Sequence, residues 1–379
     1  MSVEKKLKVL ITTNIPSPYM VDYLDCLGKK CELTALFEMN SATDREKQWY
    51  GEIQNKSFRA IFLNAKRITP DSGLSFRILK YIKGDFDRII IADPTTPTGI
   101  IALLYCRFKK IPFILQSEGG FRGSGKGLKE KFKKFLMEKA DFYLSGMQGE
   151  ADYFLSYGAT EEDLRWYPFT SLKPEQIDGK LLTDEEKMSV REELGIKEKQ
   201  VVISVGRPIP CKGFDILMQA KIGLLEDVGV YIVGGEAPAD IAAIVEEHGL
   251  QNVHFIPHCE FATLKKYYHA ADVFVLPTRG DTWALVINEA MASGLPVITT
   301  ERCVAGTQLI ENDVNGYIIP VDQAEILRDK INLLLNDEEK RKQMAKNNLK
   351  KIQPYYIENM ADYIFLHLCG ETKTTRGAE

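Results

Sequence analysis

Apolar residues gather in short, unbroken runs along the chain. Lys8–Thr13, Leu33–Phe37, Ala60–Leu63, Ile89–Ala92, Phe113–Gln116 and Phe142–Leu144 are such runs in the first half. Val201–Val205, Val230–Val233, Val253–Ile256, Val273–Leu276, Val297–Thr300 and Tyr317–Ile319 follow in the second. A run without polar alternation predicts a parallel strand covered on both faces. Between the runs lie segments with helical spacing: about Met20–Lys29, Gly73–Lys83, Gly99–Phe108 and Leu128–Lys139, then Glu185–Leu194, Ala324–Asn336, Glu338–Gln353 and Tyr355–Leu368. Strand–helix alternation predicts doubly wound parallel sheets in an α/β protein. A polar stretch after Arg165–Tyr167 interrupts it. We therefore expect two domains, residues 1–172 and 185–354, joined by a linker at 173–184.

One segment departs from this pattern. Leu276–Pro296 reads as a strand end, a polar loop and a helix. Asp281 or Thr282 is positioned to cap that helix, and Gly294 with Pro296 closes it. Leu285, Val286, Ile287, Ala290, Met291 and Ala292 leave it little polar face, so it is expected to be buried. Glu289 nevertheless sits in its middle, and a buried carboxylate needs a partner. Two readings stay open: an ion pair with a core base, or acceptance of hydrogen bonds from ligand hydroxyls. Asp281 precedes Glu289 by eight positions, and the first free helix N–H groups, around Trp283 and Ala284, lie between them. Such groups form an anion site. Hydroxyls at both ends and phosphates between them describe a nucleotide-diphosphate sugar. A core ion pair beside an ordinary cap is the alternative.

Composition narrows the classes. The chain has 379 residues, enough for two domains, with 45% hydrophobic and 27% charged residues, as in ordinary globular proteins. A formal net charge of −4 argues against nucleic-acid binding by overall electrostatics. No apolar run approaches the roughly 20 residues that span a bilayer, and the first residues lack a signal peptide's cleavage region. Seven scattered cysteines with no Cys-x-x-Cys pair point to reduced thiols and a cytoplasmic location. His248, His254, His258, His269 and His367 form no metal-ligand pattern, so no metal site is expected. No Gly-x-Gly-x-x-Gly follows the first strand, which argues against a dinucleotide dehydrogenase.

Ligands of open α/β sheets bind beyond the strands' C-terminal ends, which singles out several loops. Gly206-Arg207-Pro208-Ile209-Pro210-Cys211-Lys212-Gly213 offers close backbone approach at Gly206 and two cations, Arg207 and Lys212, suited to a diphosphate; as plain loop charges they would have no such role. Gly234-Gly235-Glu236 allows close approach of a nucleotide. Asn14–Tyr19, with Pro16, Ser17 and Pro18, is either a ligand loop or a tight turn. Asp93–Thr98 carries hydroxyls for a sugar or only caps the next helix, and Glu118 follows the strand Phe113–Gln116 as a site acid or a surface acid. Gly119–Gly127, with Arg122 and Lys126, is glycine-rich enough for a lid. Leu128–Lys139 carries Lys129, Lys131, Lys133, Lys134 and Lys139, with Leu128, Phe132, Phe135 and Leu136 opposite them. It is either a solvated basic face or a face that docks on an anionic membrane.

The run Asp281-Thr-Trp-Ala-Leu-Val-Ile-Asn-Glu289-Ala-Met-Ala-Ser-Gly-Leu-Pro-Val-Ile298 resembles the donor-site signature of family 4 glycosyltransferases, a pair of acids with seven residues between them. Asp281 stands where that family most often has Glu, and Ala284 where it has Gly. The resemblance implies the glycosyltransferase-B fold, two Rossmann-like domains facing a cleft, with helix 355–368 crossing back onto the N-terminal domain. It implies a donor site of Gly206, Arg207, Lys212, Gly235, Ile256, Asp281, Thr282, Trp283, Ala284, Leu285 and Glu289. Among these, Arg207, Lys212 and Asp281, together with Glu118 near the anomeric carbon, would carry catalysis. The acceptor falls to the N-terminal domain, with Ser17, Tyr19, Glu118 and Arg122 as candidate contacts. The Pro-Ser-Pro-Tyr loop is similar to that of bacterial surface-polysaccharide transferases. The implied reaction is a retaining sugar transfer from a nucleotide-diphosphate sugar, most often UDP-linked, to a saccharide or lipid-linked saccharide, without a metal cofactor. Peripheral contact with the inner membrane face would suit such an acceptor. An epimerase or hydrolase on the same frame and a non-catalytic nucleotide-sugar binder are the rival readings.

Overall fold

The structure is a computed structural model that describes residues 6–43, 53–54, 56–117 and 127–370. The chain divides into two compact units, Met1–Ser171 with Tyr355–Glu379, and Leu172–Pro354.

In the first unit the described elements are β1 (Lys8–Thr13), α1 (Pro18–Gly28), β2 (Glu32–Phe37), β3 (Arg59–Phe62), β4 (Lys66–Arg67), β5 (Gly73–Leu74), α2 (Ile78–Ile82), β6 (Arg88–Ile91) and α3 (Pro97–Lys109), then β7 (Ile114–Gln116), α4 (Leu128–Met137), β8 (Tyr143–Ser145), α5 (Gln148–Ser156) and β9 (Leu164–Trp166). Among the described residues, seven strands form a parallel sheet in the order β3-β2-β1-β6-β7-β8-β9. Val9, Leu10 and Ile11 are fully buried, as the apolar run requires. Strand order reverses between β1 and β6, the switch point at which open sheets bind ligands.

The helix expected over Gly73–Lys83 shrinks to α2. Its first residues instead pair as β5 with β4, antiparallel. The backbone N–H of Gly73 donates to Glu38 Oε2 at 2.8 Å and that of Ser75 to Thr98 Oγ1 at 3.0 Å, which holds this stretch extended. Helix α5, which the pattern reading omits, buries Ala151, Tyr153 and Phe154.

The second unit holds α6 (Asp184–Leu194), β10 (Gln200–Val205), α7 (Phe214–Lys221), β11 (Val228–Val233), α8 (Ala239–Glu247), β12 (Val253–Ile256), α9 (Phe261–Ala270) and β13 (Val273–Leu276), followed by α10 (Leu285–Ala292), β14 (Val297–Thr300), α11 (Val304–Leu309), β15 (Gly316–Ile319), α12 (Ala324–Asn336) and α13 (Glu338–Ile352). Its sheet runs β12-β11-β10-β13-β14-β15, parallel throughout, with the switch point between β10 and β13. Helix α14 (Ile357–Cys369) belongs to the first unit and packs on α1. Arg88 Nε donates to the Leu368 carbonyl at 2.9 Å, and Lys30 pairs with Asp362. Among the described residues no helix is long and apolar enough to cross a membrane.

Candidate active site

The switch point of the second sheet brings two loops together, one after β10 and one after β13. The backbone N–H of Arg279 and the hydroxyl of Thr278 both donate to the Cys211 carbonyl, at 2.7 and 2.8 Å. The Arg279 guanidinium donates to the Pro210 carbonyl at 2.7 Å, grips Asp215 through two nitrogens at 3.0 and 2.6 Å, and reaches Asp322 at 2.6 Å. Gly213 has φ +70°, and a Cβ there would lie 2.0 Å from the Pro277 carbonyl oxygen, so only glycine lets the loops approach this closely. The clamp seats Lys212 against Asp281: Nζ and Oδ2 are 2.5 Å apart, with both side chains mostly buried.

Arg207 lies on the same loop, exposed, and without an ion-pair partner among the described residues. The neighbouring strand ends are tied side by side. Gly206 N–H donates to the Val233 carbonyl at 2.9 Å, and Gly234 and Gly235 N–H to that of Ile256 at 2.9 and 3.1 Å. A Cβ on Gly234, at φ +134°, would sit 2.5 Å from the Gly206 carbonyl oxygen. Gly206 and Gly235 thus border the loop that carries both cations, and Ile256 lies one strand further away.

The start of α10 differs from the expectation. Neither Asp281 nor Thr282 caps it; the N-cap is Ala284, in the left-handed conformation at φ 65°, ψ 75°, with no side-chain cap bond. Asp281 cannot serve because its carboxylate is taken by Lys212 and its backbone is bridged to Arg302 and Val304. Thr282 is exposed, and Leu285 half-buried. Trp283 points into the core: it is 3% exposed, and its indole N–H donates to Asn288 Oδ1 at 2.9 Å. The first N–H groups of α10 therefore have no side-chain cap.

Glu289 is half-buried, and among the described residues no cation pairs with it. Its Oε2 accepts a hydrogen bond from the Tyr268 hydroxyl at 2.8 Å. Burial pushes its carboxyl up to about 7, against which that hydrogen bond is the opposing influence. The ion pair with a core base, one of the two readings left open above, is absent among the described residues. Asp272 shows what such a pair looks like in this unit. It is held by Arg191 at 2.8 Å and Lys187 at 3.0 Å; burial opposes its ionisation, but the two cations outweigh that and keep its carboxyl below the ordinary value.

In the first unit, Ser17 is buried at the start of α1, and Tyr19 is half-buried, edge-on to Phe169 with ring centroids 6.0 Å apart. Glu118, Arg122 and the glycine-rich loop lie outside the described residues. The pattern of residues does not single out Glu38, and it offers the Asp93 loop as sugar-binding hydroxyls or as the cap of the next helix; Thr96 is that cap, its Oγ1 accepting from Gly99 N–H at 3.0 Å. Asp93 Oδ2 accepts from Asn14 N–H at 2.9 Å and Thr13 Oγ1 at 3.1 Å, while Glu38 accepts from Gly73 N–H and from Thr96 Oγ1. Burial raises Glu38 to about 7 and Asp93 to about 6. An acid placed directly after an apolar strand was the available signal. Tyr268 and Arg279 carried none, since each acts through a partner on another element.

Residues 186–351 match the family model for glycosyl transferases group 1. The second unit is a glycosyl transferases group 1 domain. Spore coat protein SA of Bacillus subtilis is 32% identical over 181 residues, 43% of this chain and 47% of that protein. The D-inositol 3-phosphate glycosyltransferase of Segniliparus rotundus is 29% identical over 238 residues, 60% of this chain and 51% of that protein. The chain spans about half the length of the curated relatives it matches. HepE of Anabaena, solved in complex with UDP, superposes with a TM-score of 0.75 at 17% identity, covering 96% of this chain and 99% of that one. At that identity the likeness establishes the fold: two Rossmann-like domains of the glycosyltransferase-B type.

Proposed function

We propose that this group 1 glycosyltransferase moves a sugar from a nucleotide-diphosphate sugar, UDP-linked in the favoured case, to a hydroxyl of a saccharide or lipid-linked saccharide. Transfer retains the anomeric configuration and serves surface polysaccharide or glycoconjugate synthesis. The observation that carries this reading is the contact of Lys212 with Asp281 ahead of the uncapped start of α10, with Arg207 on the loop that bears Lys212 and Glu289 further along the same helix. In it, the diphosphate lies on the two cations and the helix N–H groups, and Glu289 accepts from the ribose. The bond from anomeric carbon to phosphate oxygen breaks, leaving negative charge on the diphosphate. The acceptor oxygen bonds to that carbon and its proton leaves with the phosphate. Arg207 and Lys212 act where charge develops, so their contribution is electrostatic preorganisation. HepE's complex with UDP supports the choice of nucleotide.

Lys212→Ala tests it. Loss of one such charge-stabilising donor costs about 10²–10³ in turnover. Labelled UDP-sugar and acceptor, with products resolved, separate transfer from hydrolysis or epimerisation. Turnover like that of the wild type would overturn the phosphate role.

The acceptor reading extends to a membrane. The apolar residues of α4 do not all turn inward: Leu128 is 85% exposed, and Phe132 and Phe135 are also exposed, while only Leu136 and Met137 are buried. Phe108, at the end of α3, is 81% exposed. Between them a cavity of about 560 Å³ has Leu104, Phe108, Pro112 and Phe135 in its walls and Arg107 and Lys139 among its charges. Aromatic residues interleaved with lysines, in a chain of net charge −4, suit an anionic bilayer surface. Reversing charge at Lys131, Lys133 and Lys134 should abolish sedimentation with phosphatidylglycerol vesicles while leaving activity on a soluble acceptor intact. Unchanged sedimentation would remove the membrane from the proposal.

A further inference from the structure

Tyr268 and Glu289 lie on the two helices that flank β13, 21 positions apart in sequence. Tyr268 is fully buried near the end of α9, its ring near that of Phe274 with centroids 6.1 Å apart, so its hydroxyl needs a partner inside the protein. It donates to Glu289 Oε2, at 2.8 Å. Burial, and then the neighbouring carboxylate, hold the phenol far above its ordinary value, so it stays a neutral donor. Among the described residues the Tyr268 bond is the one hydrogen bond to the Glu289 carboxylate, which leaves its other oxygen, Oε1, without a protein donor. A single fixed donor on one oxygen does two things. It removes the carboxylate's freedom to rotate, and it leaves the second oxygen as the acceptor with open valence.

We propose that Tyr268 is a positioning residue for nucleotide recognition: it pins Glu289 so that Oε1 is presented to a ribose hydroxyl of the donor. The inference rests on the donor-site reading above and adds to it the residue that makes Glu289 selective. A phenol present only to satisfy a buried carboxylate would stabilise the fold and have no effect on which nucleotide binds.

Calorimetry with UDP, 2′-deoxy-UDP and 3′-deoxy-UDP separates these roles. In the wild type, loss of the contacted hydroxyl should weaken binding tenfold or more. In Tyr268→Phe, which removes one oxygen from a buried ring, that discrimination should shrink at least threefold. In Glu289→Gln, adding Tyr268→Phe should change the discrimination no further, because the group being positioned is already altered. Full discrimination in Tyr268→Phe, with melting temperature as the check on folding, overturns the positioning role and leaves the donor site standing. Absence of discrimination in the wild type overturns the ribose role of Glu289 and the inference with it. A further shift from Tyr268→Phe in the Glu289→Gln background shows that Tyr268 acts by another route and likewise overturns the proposal.

Discussion

Lys212 and Asp281 are a cation and an anion at contact distance, mostly removed from water, so their interaction is stronger than that of a surface pair. The pair has a consequence for diphosphate binding. A carboxylate beside an arriving dianion repels it and competes for the same ammonium. At an effective dielectric of about 20, two unit charges 4 Å apart interact by about 4 kcal/mol; screening and relaxation reduce what is observed. Asp281→Asn keeps the shape and removes the charge. It should tighten UDP binding several-fold in calorimetry while lowering turnover with the sugar donor. Weaker UDP binding would mean that Asp281 matters chiefly by holding Lys212 in place.

Helix α10 was readable from its residues at its C-terminal end, yet not at its start. It ends at Ala292 with Ser293 as C-cap, one residue ahead of the Gly294 that the pattern offered as its stop, and Gly294 is left-handed at φ 69°. At its start, Ala284 adopts a left-handed conformation that costs an L-residue about 1–2 kcal/mol. Glycine avoids that cost and loses about 0.5–1 kcal/mol in chain entropy. Ala284→Gly should therefore stabilise the second unit by up to about 1 kcal/mol, raising its melting transition by about 2–4 °C. A lower transition would show that the Ala284 methyl, 9% exposed, contributes more by packing than its backbone costs. The cap was missed because Asp281 has the right chemistry for one. Its engagement with Lys212 depends on a loop 69 positions away in sequence.

At the scale of the molecule, three acids among the described residues have raised values: Glu38 to about 7 and Asp93 to about 6 in the first unit, and Glu289 to about 7 in the second, each chiefly through burial. Between the ordinary carboxylate range and about pH 7, the folded chain holds protons that the unfolded chain has released. Stability must then fall as pH rises through that window. Asp178 and Asp272 lie below their ordinary values and act oppositely, losing their contribution in acid. Melting temperature should thus decline from about pH 5 to about pH 7, and Glu38→Gln should flatten that decline in the transition of the first unit. A rise over the same range would contradict the burial of these acids. Two units need not melt together, so each transition is followed separately.

Residue order alone determined most of the strands, the longer helices and the candidates. Unbroken apolar runs can be satisfied only by strands covered on both faces, and loops after such strands are where ligands bind, so Gly206, Arg207, Lys212, Asp281 and Glu289 stood out by type and place. Tertiary structure alone decided which polar groups meet. Lys212 reaches Asp281 because β13 pairs with β10 rather than with β12, the strand that precedes it, and Tyr268 reaches Glu289 across the helices before and after β13. Hydrophobic periodicity is a local property that fixes what is buried. Hydrogen-bond partners depend on strand order, to which the pattern of apolar and polar positions is blind.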